Sequence, residues 1–197
     1  MLDHEKGTCV LSAFQKIRHH GFSLIELLIT IAIFSITLTF GVSSYRIWVQ
    51  NTQIRNAAES IQNGIQRARA EAVKRNRNVE FVLENDSNWV VWVTPAEDLI
   101  PPGGDGIRDE IERRSSGEGS NNVTSTVTPG GATTITLNSL GAIVANADAS
   151  ATLTQVDLDS SVLDAADSRN LTVTIGLGGI VRMCDPNLAH GSNPQAC

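Results

Sequence analysis

Histidine is scarce in this chain: of four, only His190 lies beyond Gly21. A histidine-based triad or a histidine-rich metal centre therefore lacks its material. Ser, Asp and His190 fall into no recognisable nucleophile arrangement, which leaves an anchored periplasmic hydrolase as a rival class without a motif. Cysteine is equally sparse, at three residues, with no CxxC and no histidine at zinc-ligand spacing. Asp105, Asp109, Glu110 and Glu112 cluster closely enough to suggest calcium, but their spacing departs from a standard calcium loop. No metal and no cofactor is expected, and the reading is not an enzyme. Basic charge is also missing where nucleic acid would need it. Residues 78–197 carry five basic side chains against sixteen acidic ones. Such a field repels polyanions at long range. Nucleic acid is therefore not an expected partner.

Proline is absent from Phe22 to Arg77, so nothing there forces a helix to stop. Phe22 to Phe40 is nineteen residues long and apolar apart from Glu26 and scattered Ser and Thr. At about 1.5 Å per residue this nearly spans a hydrocarbon core of roughly 30 Å. Tyr45 and Trp48 follow, where amphipathic aromatics suit a membrane interface. Gly41 and Ser43 offer an alternative, a cleavage pair for an ordinary secretory signal. Beyond them Ile54, Ala58, Ile61, Ile65, Ala68 and Ala72 step by 4, 3, 4, 3, 4, the mark of a helix with one apolar stripe. One continuous helix of about fifty residues, roughly 80 Å long, is the simplest object. Gly41 and Gly64 are places where it could bend. Arg67, Arg69, Lys74, Arg75 and Arg77 read as a solvated face, or as a salt-bridge surface for acidic neighbours. Residues 22–77 hold seven basic residues against three acidic.

From Asn78 the texture turns to strands. NVEFVLEN and WVVWV flank Asp86-Ser87-Asn88, a hairpin pattern. The stretch from Thr94 to Asn122, rich in Pro, Gly and charge, reads as an exposed connection. VTSTV, TTITLNSLGAIV, ATLTQVDL and NLTVTIGLGGIVRMC supply further strands with glycine at their turns. The expected fold class is α+β, a long N-terminal helix packed against one mainly antiparallel β-sheet head. In an oxidising compartment Cys184 and Cys197 would close a disulfide; two free thiols are the alternative.

The leader ending in Gly21, followed by FSLIELLITIAIF, resembles the type III signal of type IV pilins and pseudopilins. QIRNAAESIQNGIQRARAEAVKRNRNVEFVL, ITLNSLGAIV and LTVTIGLGGIVRMCDPN are similar to the GspH/FimT family. That family holds H-type pseudopilins of type II secretion and FimT/FimU-type minor pilins. The resemblance implies a type IV pilin-like fold in four parts: a prepilin leader over residues 1–21, a transmembrane half-helix over 22–43, an amphipathic half-helix over 44–77, and a periplasmic head over 78–197. It implies cleavage after Gly21 by a prepilin peptidase, which takes Cys9 away with the leader, and methylation of the new amine at Phe22. It further implies that Glu26 pairs with the amine of a neighbouring subunit and so sets assembly register. An unpaired carboxylate at membrane depth is costly, and an ammonium partner recovers much of that cost. The implied partners are other pilin or pseudopilin subunits, the peptidase, an inner-membrane assembly platform and membrane lipid. The implied place is the bacterial inner membrane, with a single pass and a periplasmic head.

The family also contains members that bind DNA during uptake through a C-terminal GRxR motif. Here the corresponding residues are Gly179-Ile180-Val181-Arg182, so Arg182 is kept and Ile180 stands in place of the first arginine. One arginine meets one phosphate, and nonspecific binding sums several such contacts. LNSLG stands where an FNxxG-like segment is expected, and the CDPN ending leans towards the FimT/FimU side.

Overall fold

The computed structural model describes residues 21–94, 109–189, 191 and 193–197, without the side chains of 39–41 and 43. The chain divides into two compact units, Met1–Gly41 and Val42–Cys197. Helix α1 runs Leu24–Arg75 as 52 uninterrupted residues, as the missing prolines allow.

In the first unit the helix is apolar on every side. Leu24, Ile25, Leu27, Leu28, Ile29, Ile31, Ile33, Phe34, Ile36 and Leu38 are all exposed. Three of its described hydroxyls hydrogen-bond the helix backbone. Thr30 donates to the Leu27 carbonyl at 2.8 Å, Ser35 to Ile31 at 2.8 Å, and Thr37 to Phe34 at 2.9 Å. Back-bonding of this kind satisfies a hydroxyl where no water is on offer. Among the described residues no helix is long and apolar enough to cross a membrane.

In the second unit the 4-3-4-3 stripe does what its spacing dictates. Ile54, Ala57, Ala58, Ile61, Ile65, Ala68 and Ala72 are all fully buried and belong to one core cluster with Phe81, Trp89, Ile135, Leu137, Val156, Leu158 and Val173. Each large aliphatic side chain buried here contributes on the order of 1.5–3 kcal/mol. The helix ends in a Schellman motif: Arg77 N–H donates to the Ala72 carbonyl at 3.2 Å and Asn76 N–H to Val73 at 3.3 Å. Asn76 takes the left-handed conformation, φ 52°, that closes such a motif and delivers the chain into the first strand.

Nine strands follow among the described residues. They are β1 (Val79–Asn85), β2 (Asn88–Val93), β3 (Asp109–Arg114), β4 (Val123–Thr128), β5 (Thr134–Leu137), β6 (Ile143–Val144), β7 (Gln155–Ser160), β8 (Leu171–Ile175) and β9 (Val181–Cys184). They form two sheets rather than the single one expected, ordered β3-β2-β1-β5-β6 and β4-β7-β8-β9. Every ladder is antiparallel. Both sheets give side chains to the same cluster under the helix, Phe81 and Ile135 from one, Val156 and Val173 from the other.

One expectation is corrected: the stretch read as a connection contains β3, whose residues Asp109–Arg114 pair with β2. Gly64 has a packing role: a Cβ there would lie 2.8 Å from Phe81 Cε2 and 3.0 Å from Trp89 Cδ2. Its missing side chain lets the helix press on the aromatic pair of β1 and β2, whose ring centroids are 5.7 Å apart. Trp89 is held there by its indole N–H, which donates to the buried Ser60 hydroxyl at 2.8 Å.

Candidate assembly site

Gly21 and Phe22 precede the helix as exposed residues without regular structure. A Cβ built on Gly21 meets nothing within 4 Å, and Phe22 is 83% exposed. Helical bonding begins where Leu27 N–H donates to the Ser23 carbonyl at 3.1 Å. The peptide bond after Gly21 thus stands outside regular structure. Glu26 is the acid of the first helical turn and is exposed, where the unpaired N–H groups favour a negative charge. It is also the only charged side chain between Phe22 and Leu38.

The far end of the helix sorts its charges by face. Glu71 is buried and gathers cations: Arg75 Nε at 2.8 Å, Lys74 Nζ at 3.6 Å and Arg67 Nη2 at 3.7 Å. Arg75 reaches on to Asp109 at 2.9 Å, and Arg67 to Glu112 at 3.4 Å, both on β3. The Arg75 hydrogen bond, helped by the charges of Lys74, Arg67 and Arg75, holds the Glu71 carboxyl below its ordinary value against the opposing effect of burial. Arg113 binds Glu84 through both carboxylate oxygens, at 2.7 and 2.8 Å, and Glu110 at 3.1 Å; its guanidinium also lies 5.9 Å from the Trp92 ring centroid. The sequence missed this network. Arg67, Lys74 and Arg75 all lie within ion-pair distance of Glu71 in the same head. Asp109, Glu110 and Glu112 are strand residues committed to arginines rather than a calcium loop. Asp105 lies outside the described residues, and no group of metal-binding side chains occurs among those described.

Arg69 points elsewhere. Its side chain lies beneath two turns, LNSLG between β5 and β6 and GLGG between β8 and β9. A Cβ on Gly141 would lie 2.8 Å from Arg69 Nε, and one on Gly179 would be 3.6 Å from Arg69 Cδ and overlap the Gly141 carbonyl oxygen. Both glycines have positive φ, 73° and 72°. Asn138 caps the first turn by accepting from Leu140 and Ala142 N–H at 3.0 and 3.1 Å. The Leu177 carbonyl accepts from Ile143 N–H at 3.2 Å, tying one sheet to the other. The two stretches that looked family-specific in sequence therefore meet in space on the helix.

Cys184, at the end of β9, is bonded to Cys197, and the parallel bridge Asp185–Ala196 lies beside that bond. Arg182 is exposed on β9 and donates to the Pro194 carbonyl at 3.5 Å.

A long N-terminal helix, apolar all round at its start and buried along one stripe in an antiparallel head, defines a pilin-like subunit. The model of the type II transport protein GspH matches residues 57–179, and that of the prokaryotic N-terminal methylation motif matches residues 16–42. The chain belongs to the GspH family, whose members are structural minor pilins and pseudopilins of type IV pili or type II secretion systems. Among solved structures, the Pseudomonas aeruginosa type IV minor pilin FimU is 16% identical, with 74% of this chain and 98% of that one covered and a TM-score of 0.49. The minor pseudopilin EpsH from the type 2 secretion system of Vibrio cholerae is 11% identical, covering 69% and 99%, at 0.47. Escherichia coli GspH is 16% identical, covering 74% and 95%, at 0.42. No curated protein sequence matches the chain.

Proposed function

We propose that this subunit is cut after Gly21 by a prepilin peptidase, methylated on the amine of Phe22, and held in the bacterial inner membrane by residues 22–43 with its head in the periplasm. From there an inner-membrane assembly platform draws it into a short filament with other pilin or pseudopilin subunits. Its work is mechanical rather than catalytic. The observation that carries this reading is the first unit itself: exposed aliphatic side chains on every side, inward-turned hydroxyls, and one carboxylate in the first turn. Such a surface is stable only against lipid or against other apolar helices. In both settings Glu26 needs a cation, and the amine released at Phe22 of an adjoining subunit supplies one.

The membrane half of this reading rests on the sequence, which continues apolar to Phe40. The test is Glu26→Ala in the full-length chain within its native host. Processing to a mature N-terminus at Phe22 should proceed, while recovery in sheared filaments should fail. Incorporation at the level of the unaltered chain overturns the pairing role, and an intact mass that retains the leader overturns the processing role.

A further inference from the structure

The head carries, at opposite ends of its helix, two exposed surfaces that complement each other. Near the helix C-terminus, Val73, Leu140, Leu177 and Ile180 are 52, 82, 82 and 65% exposed, although turns that carry three of them are packed and hydrogen-bonded. A shallow groove of about 660 Å³ runs here, lined by Arg69, Val73, Lys74, Gly179 and Ile180 among others. Arg69 and Val73 lie four residues apart and so share a face of α1, which ends at Arg75, two residues before Arg77. Unlike Arg67 and Arg75, which spend their charge on Glu71 and β3, Arg69 and Arg77 have no acidic partner within the head among the described residues. This end is apolar and basic on a head that is otherwise acidic.

The other end is apolar and acidic. The loop between β7 and β8 is tied to the start of the head: the Asp167 carbonyl accepts from Asn51 Nδ2 at 3.0 Å, Arg169 N–H donates to Asn51 Oδ1 at 2.8 Å, and Ser161 N–H donates to the Asn122 carbonyl at 2.9 Å. Just past β7, Val162 is 58% exposed, and Asp164 and Asp167 are exposed further along the loop. Neither carboxylate has a side-chain partner among the described residues. Arg169 is the loop's own cation and offsets one of the charges. From Asn51 to Arg69 is eighteen residues of helix, about 27 Å of rise.

We propose that the Val73–Leu140–Leu177–Ile180 patch receives the Val162–Asp167 loop of a second copy of this chain, with Arg69 and Arg77 facing Asp164 and Asp167. The inference rests on the assembly reading above and names the partner. Two different patches that fit each other make a heterologous contact, which repeats in one direction instead of closing as a symmetric dimer. The apolar contacts supply the attraction, and the opposite charges fix which end meets which.

The test uses the full-length chain in membranes, with Cys9→Ser throughout so that the disulfide cysteines are the only native ones left. One tagged copy carries Leu177→Cys, a differently tagged copy carries Val162→Cys, and a short bis-maleimide is added. Cross-links should form between 177 and 162 and not between two copies of 177 or two of 162. Arg69→Glu should lower them about tenfold, and Asp164→Arg with Asp167→Arg in the partner should bring them back. Because the stem of Arg69 supports two turns, Arg77→Glu serves as a second variant with no such packing role and should lower the yield in the same direction. Equal cross-linking of all three pairings overturns the head-to-tail contact. So does its absence while Glu26-dependent incorporation persists, an outcome that leaves the assembly reading standing. Absence of the unaltered chain from sheared filaments overturns the assembly reading instead, whatever the cross-links show.

Discussion

Gly179 sits so close to the carbonyl oxygen of Gly141 that a Cβ at position 179 would overlap it. These two glycines belong to different sheets and lie 38 residues apart in sequence, yet their turns lock together over the Arg69 stem. Gly179→Ala therefore faces two penalties, a strained φ of 72° and a collision with backbone that has nowhere to go. We expect a loss of about 1–3 kcal/mol or more in the unfolding free energy of the chain. Gly178→Ala is the control, since a Cβ there meets nothing within 4 Å; it should change stability by less than about 0.5 kcal/mol. Urea unfolding followed by tryptophan fluorescence reads both. Equal stability of the two variants contradicts the close approach.

Gly64→Ala sets helix propensity against packing. Alanine in a helix interior is worth about 1 kcal/mol over glycine. The added methyl, however, lies 2.8 Å from Phe81 and 3.0 Å from Trp89, and overpacking of a rigid core costs about 1–3 kcal/mol. Net destabilisation of roughly 1–2 kcal/mol is expected by these two figures. A shift in Trp89 emission should accompany it, because the ring must move off the Ser60 hydroxyl that binds it at 2.8 Å. A stabilised variant with unchanged fluorescence shows that the space is not needed.

Much of the fold could be read along the chain because its determinants are local. The 4-3-4-3 stripe predicted a buried helix face, and each of its six residues is fully buried. NVEFVLEN and WVVWV read as apolar strand runs and pair as a hairpin. What escaped has non-local causes. Asp109–Arg114 carries five charges in six residues and shows no apolar alternation; it is an edge strand secured by Arg67 and Arg75 of α1 and by the pairing of its own Arg113 with Glu84 of β1, partners that lie outside its own pattern. The division into two sheets depends on β5 pairing with β1 and not with β7, a choice made by the packed whole. Of the candidate site, Gly21, Phe22 and Glu26 were visible as a motif. The segregation of Arg69 from Arg67 was not, since only the placement of β3 distinguishes them.

Glu71 should make the head's stability depend on acidity. An unfolded carboxyl titrates near its ordinary value of 4.5, and the folded one titrates lower. A group with a depressed folded value binds its proton more weakly when folded, so its stabilising contribution is complete above about pH 4.5 and fades as pH falls through the folded value. Glu71→Gln removes that contribution at neutral pH and should flatten the acid limb of the stability profile below about pH 4.5. Thermal melts between pH 3 and 7 give the comparison. Parallel profiles for the two proteins show that Glu71 gains nothing from its cations.

The disulfide is expected to secure β9 without defining the core. Cys184 and Cys197 are separated by 13 positions, and closing a loop of that size stabilises by about 3 kcal/mol in the chain-entropy account. Cys197→Ser should lower the unfolding midpoint by that order. It should also expose Arg182 and the segment from Asp185 to Cys197 to protease, while the buried stripe of α1 keeps its hydrogen-exchange protection. Loss of protection throughout the head shows that the last strand is part of the core's cooperative unit.

Gly21→Trp separates a requirement of the protein from a requirement of the enzyme that processes it. Among the described residues nothing lies within 4 Å of a Cβ at Gly21, so a side chain there has room to leave the backbone, and helix α1 begins three residues later at Leu24. Folding of the head should be unchanged by circular dichroism and melting temperature. If a peptidase must approach the bond between Gly21 and Phe22, the bulky side chain obstructs it, and the full-length precursor should accumulate in the membrane with its leader attached. Intact-mass measurement of membrane extracts distinguishes the two species. Efficient cleavage of Gly21→Trp removes the case for a glycine-dependent peptidase, and a precursor that also fails to fold moves the role of Gly21 from processing to structure.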